Sequence, residues 1–177
     1  MPDHYYTQTP TSAHKPGQVD FLWRGAKLVF ETDSGVFSRT EIDKGTEILL
    51  NALPEELTGS LLDMGCGYGV IGVTLGKRYP GLSVVMSDVN ERAVELSRRN
   101  AQRNGVPARV MQSDGYADVP FQRMDWIVQN PPIRAGKSVI YAMFAEGARR
   151  LEPSGELWLV IRKQQGAESA VRYLKTL

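Results

Sequence analysis

A chain of 177 residues, 42% hydrophobic and 23% charged, has the ordinary composition of a folded globular protein and the length of one domain, 1–177. Its one cysteine, Cys66, excludes an internal disulfide and a cysteine metal cluster, which suits a reducing cytoplasm. The net charge of +1 is small for a dedicated nucleic-acid binder, and no apolar run approaches the roughly 20 residues that span a bilayer.

Residues 1–18 are polar, contain Pro10, Pro16 and Gly17, and read as an extended lead-in without the basic flank and apolar run of a signal peptide. His4 and His14 lie there without metal-spaced partners, so no metal site is expected. The segment 19–53 begins with two β-prone runs, Val19–Trp23 and Lys27–Thr32, around Arg24-Gly25, the pattern of a hairpin. Ile42, Thr46, Leu49, Leu50 and Leu53 then recur at helical spacing, which predicts a helix over Thr40–Leu53 that Pro54 ends.

From residue 59 to 177 strand and helix alternate. Strands are expected at Leu61–Met64, Leu82–Met86, Arg109–Met111, Trp126–Val128 and Leu157–Ile161. Helices are expected at Val70–Tyr79, Asn90–Asn104 and Ser138–Leu151, the second with Asn90 as its cap and Gly105 just past its end. Apolar strands alternating with helices imply a doubly wound α/β fold, a mostly parallel sheet with helices on both faces. Trp23, Trp126 and Trp158 fall in strands and read as packing. Arg92, Arg98, Arg99 and Arg103 share one helix and read first as a solvated face.

In such a fold the ligand binds beyond the carboxyl ends of the strands. The first core strand ends in Asp63-Met64-Gly65-Cys66-Gly67-Tyr68-Gly69, where glycines allow sharp turning and close approach to the backbone. Glycine at every second position is not the dinucleotide spacing, which argues against a pyrophosphate seated on the helix. The second strand leads to Asp88-Val89, where a carboxylate can accept both ribose hydroxyls, and the third to Ser113-Asp114, placed for an adenine amine. Together these describe an adenosine pocket without phosphates, the shape of S-adenosylmethionine.

The fourth strand runs into Asn130-Pro131-Pro132-Ile133. A proline pair neither extends a strand nor continues a helix, so the chain is stiff here. The Asn130 side-chain oxygen and the Pro131 carbonyl can accept both N–H groups of a conjugated amine. That would direct its lone pair and stabilise the charge developing on nitrogen, with alignment supplying much of the rest and no metal needed.

Asp63-Met-Gly-Cys-Gly-Tyr-Gly69, Asp88, Asp114 and Asn130-Pro-Pro-Ile133 resemble the motifs of class I amino-methyltransferases. With His4-Tyr5-Tyr6, Thr32–Ser38 and Arg134-Ala135-Gly136-Lys137, nearly the whole chain resembles the methyltransferase small domain family, which includes bacterial guanine-N2 methyltransferases of small-subunit ribosomal RNA. The resemblance implies that Asp63 and the loop of Gly65, Cys66, Gly67 and Gly69 hold the methionine end of the cofactor. Asp88 and Val89 would hold the ribose, Ser113 and Asp114 the adenine, and Asn130 and Pro131 the target amine. Phe37 would line the pocket, and Arg134 and Lys137 would approach the RNA backbone.

There are two departures from the family pattern. Adenine- and glutamine-modifying relatives carry an aromatic residue after the prolines, where this chain has Ile133, which disfavours adenine. The family continues into a final antiparallel strand pair, which is not expected here because the sequence ends at Leu177, at the end of a helix. Competing functions are N-methylation of a protein glutamine or a small amine, a catalytically silent RNA-binding module, and a nicotinamide oxidoreductase, which the glycine spacing opposes.

Overall fold

The computed structural model describes residues 6–177, and its regular structure begins with the hairpin. β1 (Gly17–Trp23) and β2 (Ala26–Thr32) pair antiparallel in a register running from Gly17↔Thr32 to Trp23↔Ala26. Arg24 and Gly25 between them both have positive φ, 44° and 79°, as a type I′ turn requires. The Arg24 guanidinium donates to the Leu53 and Pro54 carbonyls and to the Tyr79 hydroxyl, which offsets the cost of this backbone in a residue other than glycine.

Helix α1 (Lys44–Ala52) starts four residues later than periodicity predicts. Asp43 is the reason: its side chain accepts the Thr46 N–H at 3.0 Å and caps the helix.

The core then runs β3 (Ser60–Met64), α2 (Val70–Arg78), β4 (Ser83–Asp88), α3 (Glu91–Arg103), β5 (Ala108–Gln112), β6 (Met124–Gln129), α4 (Lys137–Arg149), β7 (Leu151–Leu159) and α5 (Ala167–Leu174). The strands form one five-stranded sheet in the order β5-β4-β3-β6-β7, with every neighbouring pair parallel. Strand order reverses between β3 and β6, and that switch point opens a crevice above the strand ends.

Side chains alternate across the sheet. Leu61, Val84 and Met86 face the cluster formed with α2, α3 and the hairpin, while Leu62, Met64 and Ile127 face the opposite cluster. Asp63 therefore points to the α2 side. Gly76 lets α2 lie close to the sheet, because a Cβ there would sit 2.4 Å from Val106 Cγ1. As expected, Asn90 caps α3, accepting the N–H groups of Arg92 and Ala93 at 2.9 and 3.2 Å.

β7 starts six residues before the predicted Leu157 and carries an irregularity opposite Met124 and Trp126. Pro153 and Gly155 mark its first half as a turn in sequence; an edge strand tolerates both because one side of its ladder is unpaired. Among the described residues no antiparallel strand pair follows β7, and α5 packs on α4 instead. Among the same residues no helix is long and apolar enough to cross a membrane.

Candidate active site

A cavity of about 380 Å³ lies over the carboxyl ends of the central strands. Its floor is the loop after β3, whose Gly65 and Cys66 N–H groups both donate to the Ser87 carbonyl, at 2.8 and 2.9 Å. Gly65 and Gly67 have φ of +73° and +57°, and a Cβ on either would meet nothing within 4 Å. Both are glycines for backbone reasons, and the space beside them is open for a ligand. Gly69 is different. It does not line the cavity, and a Cβ there would press on Ser97 Oγ at 3.1 Å, so it serves the packing of α2 on α3.

Asp88, the last residue of β4, is 9% exposed and sits on the wall. Its Oδ2 accepts the Gly67 N–H at 2.8 Å and its Oδ1 the Asn90 N–H at 2.9 Å. Burial raises its pKa to about 6 against backbone hydrogen bonds from Asn90, Gly67 and Val89. A carboxylate has about four acceptor positions, so capacity remains for a ligand hydroxyl. Val89, Ser113 and the exposed Asp114 continue the wall.

Asp63 lies elsewhere. It is 0% exposed and one layer beneath the loop, where Oδ2 accepts the Gly72 N–H at 2.8 Å and Oδ1 has no partner. Burial, reinforced by the charge of Asp88, raises its pKa to about 7.

On the far wall Asn130, Pro131 and Pro132 line the cavity. The Asn130 Nδ2 donates to Asp43 Oδ2 at 3.1 Å and to Thr46 Oγ1 at 3.0 Å. Ile133 turns away and packs on the Ile140–Phe144 cluster between α4 and α5. Arg134 and Lys137 are exposed and off the wall, flanking Ala135, which lines it. Phe37, 42% exposed, and Val139 stand at the cavity as exposed apolar groups.

Sequence reasoning missed several wall residues: Tyr6 and Gln8 of the lead-in, Asp43 and Thr46 at the start of α1, and Tyr68. Asp43 was readable as a cap, being an acidic residue just before a helical run, although nothing local points it at Asn130. The lead-in has no periodicity to read, yet its Gln8 carbonyl accepts the Glu91 N–H at 3.0 Å and so crosses the cavity edge. His4 and Tyr5 of the His4-Tyr5-Tyr6 segment lie outside the described residues.

Arg92 is not part of a solvated face. It is mostly buried and clamps the Ser12 and Ser34 carbonyls, while Arg99 and Arg103 pair with Glu31 of β2. The Thr32–Ser38 segment is fixed by the same region: the Asn90 Nδ2 donates to the Gly35 carbonyl at 2.8 Å.

A parallel sheet in this order, with a glycine loop, an acidic strand end and an Asn-Pro-Pro turn around one cavity, is the class I methyltransferase fold. Within that class the chain belongs to the methyltransferase small domain family, whose family model matches residues 27–176. It is 44% identical over 180 residues to the uncharacterized protein YbxB of Bacillus subtilis (strain 168), spanning 100% of this chain and 90% of that one. It is 42% identical over 170 residues to ribosomal RNA small subunit methyltransferase C of Hahella chejuensis, spanning 89% of this chain and 49% of the other. Among solved structures it resembles the 16S rRNA N2 methyltransferase RsmC of T. thermophilus, in complex with AdoMet and guanosine. That match has a TM-score of 0.81 and 28% identity over 94% of this chain and 46% of that one. The chain thus spans most of the Bacillus protein and about half the length of these two methyltransferases.

Proposed function

We propose that the chain is an S-adenosylmethionine-dependent N-methyltransferase whose target is the exocyclic N2 of guanine in small-subunit ribosomal RNA, acting in the cytoplasm. One observation carries the reading. Asn130 stands on the wall of the cavity that Asp88 and the glycine loop also line, with its amide nitrogen already bonded and its oxygen left to accept.

The residues fit the cofactor. The acceptor capacity left on the Asp88 carboxylate suits a ribose hydroxyl, Asp114 lies on the same wall, and open space meets Gly65 and Gly67. Asp63, buried under the loop, acts on the methionine end through the backbone it holds, its Oδ2 taking the Gly72 N–H beneath the glycine turn. When bound, S-adenosylmethionine supplies an electrophilic methyl on its sulfonium, so the protein needs to orient rather than to activate by metal or covalent chemistry. Asn130 Oδ1 and the Pro131 carbonyl accept the two N–H groups of the amine. They hold its lone pair toward the cofactor and stabilise the positive charge that grows on nitrogen. Much of the remaining barrier falls through alignment.

Guanine N2 in ribosomal RNA is favoured over a glutamine or an adenine by three features. The names of the relatives at 42% and 28% identity point that way. The position after the prolines offers no ring to stack on the target, since Ile133 faces α4 and α5. Arg134, next to Ala135 of the wall, is an exposed cation suited to phosphates, whereas the Lys137 ammonium lies over the Tyr141 ring on the α4–α5 side. The test is titration with S-adenosylhomocysteine, with NAD as control, followed by labelled methyl transfer to unmethylated small-subunit RNA and to a glutamine peptide. Binding of the first ligand with transfer to RNA alone supports the reading; transfer to the peptide alone replaces it.

A further inference from the structure

We infer that Asp43 and Thr46 are positioning residues for methyl transfer: they hold the nitrogen of the Asn130 carboxamide and thereby present its oxygen to the target amine. The inference rests on the function proposed above and deepens it.

A carboxamide on a cavity wall has two nearly isosteric orientations, and only one of them offers an acceptor to an amine. Asp43 decides between them. Its Oδ2 already accepts the Thr46 N–H and faces Asn130 as an acceptor, so the group 3.1 Å from it is the amide nitrogen. The second amide proton goes to Thr46 Oγ1 at 3.0 Å. With both N–H groups used, Oδ1 is left, and among the described residues no protein group donates to it.

Asp43 is itself fixed. Its Oδ2 takes the Thr46 N–H at 3.0 Å, and a Cβ at residue 45 would lie 2.8 Å from that oxygen, so Gly45 makes room for the carboxylate. The carboxylate also polarises the carboxamide, drawing negative charge toward Oδ1, where it opposes the charge developing on the amine.

A purely structural role does not account for this. Capping α1 needs one acceptor for the Thr46 N–H and makes no demand on Asn130. The Thr46 hydroxyl takes no part in the cap; its partner is Asn130, 84 residues away. The N-terminal hairpin and helix, outside the α/β core, therefore reach the catalytic turn through two side chains.

The test compares Thr46→Val, which keeps shape and loses the acceptor, with Thr46→Ser, which keeps it, and adds Asp43→Asn, which keeps a capping oxygen and loses the charge. Turnover is read with free guanosine and with unmethylated small-subunit RNA. The side-chain ¹⁵N–¹H₂ pair of Asn130 is read by NMR, assigned by its loss in Asn130→Asp. In the wild type both amide protons are expected to be protected from solvent exchange, and Thr46→Val should release one of them. Thr46→Val should lower kcat about tenfold, the worth of one hydrogen bond. Thr46→Ser should stay within about twofold of wild type, and Asp43→Asn should lose about a hundredfold as the reacting group is misplaced. KM and S-adenosylhomocysteine affinity should hold throughout. Free exchange of the wild-type pair, or equal kcat in Thr46→Val and Thr46→Ser, overturns the inference. A protected pair in a protein that methylates neither substrate supports the orientation and sinks the guanine reading instead.

Discussion

The Arg92 Nη2 donates to the Ser12 carbonyl at 3.0 Å, joining the first turn of α3 to a lead-in 80 residues earlier. The same guanidinium reaches the Ser34 carbonyl at 2.8 Å, and the buried carboxylate of Asp33 takes the Lys15 N–H and the His14 ring. Hydrogen bonds from these groups keep the Asp33 pKa below the usual carboxylate value despite its burial. The lead-in is thereby laid along the cavity rim, where Tyr6 and Gln8 contribute to the wall.

Arg92→Ala should release this strap. Losing a charged group bonded to two part-buried carbonyls costs about 1.5–3 kcal/mol of local order. S-adenosylhomocysteine affinity is expected to fall about tenfold, with faster proteolysis before residue 16 and little change in the core melting transition. Calorimetry and limited proteolysis measure both, and unchanged affinity would separate the strap from the cofactor site.

The buried acids give the ligand-free protein an unusual pH profile. Asp63 and Asp88 have pKa values raised from 3.8 to about 7 and about 6, so between 3.8 and those values the folded chain holds more protons than the unfolded one. Stability then falls as pH rises through that window and levels off above about 7. The depressed values of Asp33 and Asp125 act the other way, but only as pH drops below the ordinary 3.8. The melting temperature without ligand should therefore be higher at pH 5 than at pH 8. Asp63→Asn should flatten the slope and stabilise the protein at pH 8, and an equally steep slope in that variant would exclude Asp63 as its source.

The fold was legible wherever local chemistry and global architecture agree. The Arg24-Gly25 turn, the Asn90 cap and the apolar strands each announce themselves within a few residues. The cavity residues on the core strand ends were legible for the same reason, since topology sends Asp88, Ser113 and Asn130 to one edge. What stayed hidden depends on long-range contact. Arg92 looks like a surface cation until Ser12 and Ser34 are brought to it, and Asp43 looks like a cap until Asn130 arrives. Asp63 shows a complementary limit. Sequence marks it as an acid at a strand end, but strand alternation sends it under the loop and off the wall.

Gly76 and Val106 should be energetically coupled. A methyl on Gly76 would intrude to 2.4 Å of Val106 Cγ1, inside a core where Val106 is buried. Gly76→Ala should cost about 1–3 kcal/mol through overpacking, despite the better helix propensity of alanine. Val106→Ala removes the obstructing methyl groups, so the double variant should be more stable than the summed single losses by at least about 0.5 kcal/mol. Denaturant melts of the four proteins measure this, and strict additivity would mean that α2 shifts freely on the sheet.

Asn130→Ala and Asp88→Ala should fail in different ways. Asn130 spends its nitrogen on Asp43 and Thr46 and offers only its oxygen to the cavity, so its loss leaves the Asp88 side of the wall unchanged. S-adenosylhomocysteine should bind Asn130→Ala within about twofold of wild type, while methyl transfer drops by about a hundredfold or more, as expected for removal of a preorganised acceptor. Asp88→Ala removes the acceptor of the Gly67 and Asn90 N–H groups together with the carboxylate on the cavity wall, the group proposed to meet the ribose. Its defect should appear first in cofactor binding, by at least about tenfold, the worth of one lost hydrogen bond to a charged group. Saturating cofactor should recover part of its turnover but none of the loss in Asn130→Ala. Full transfer by Asn130→Ala would remove the carboxamide from the mechanism and leave Pro131 as the acceptor to examine.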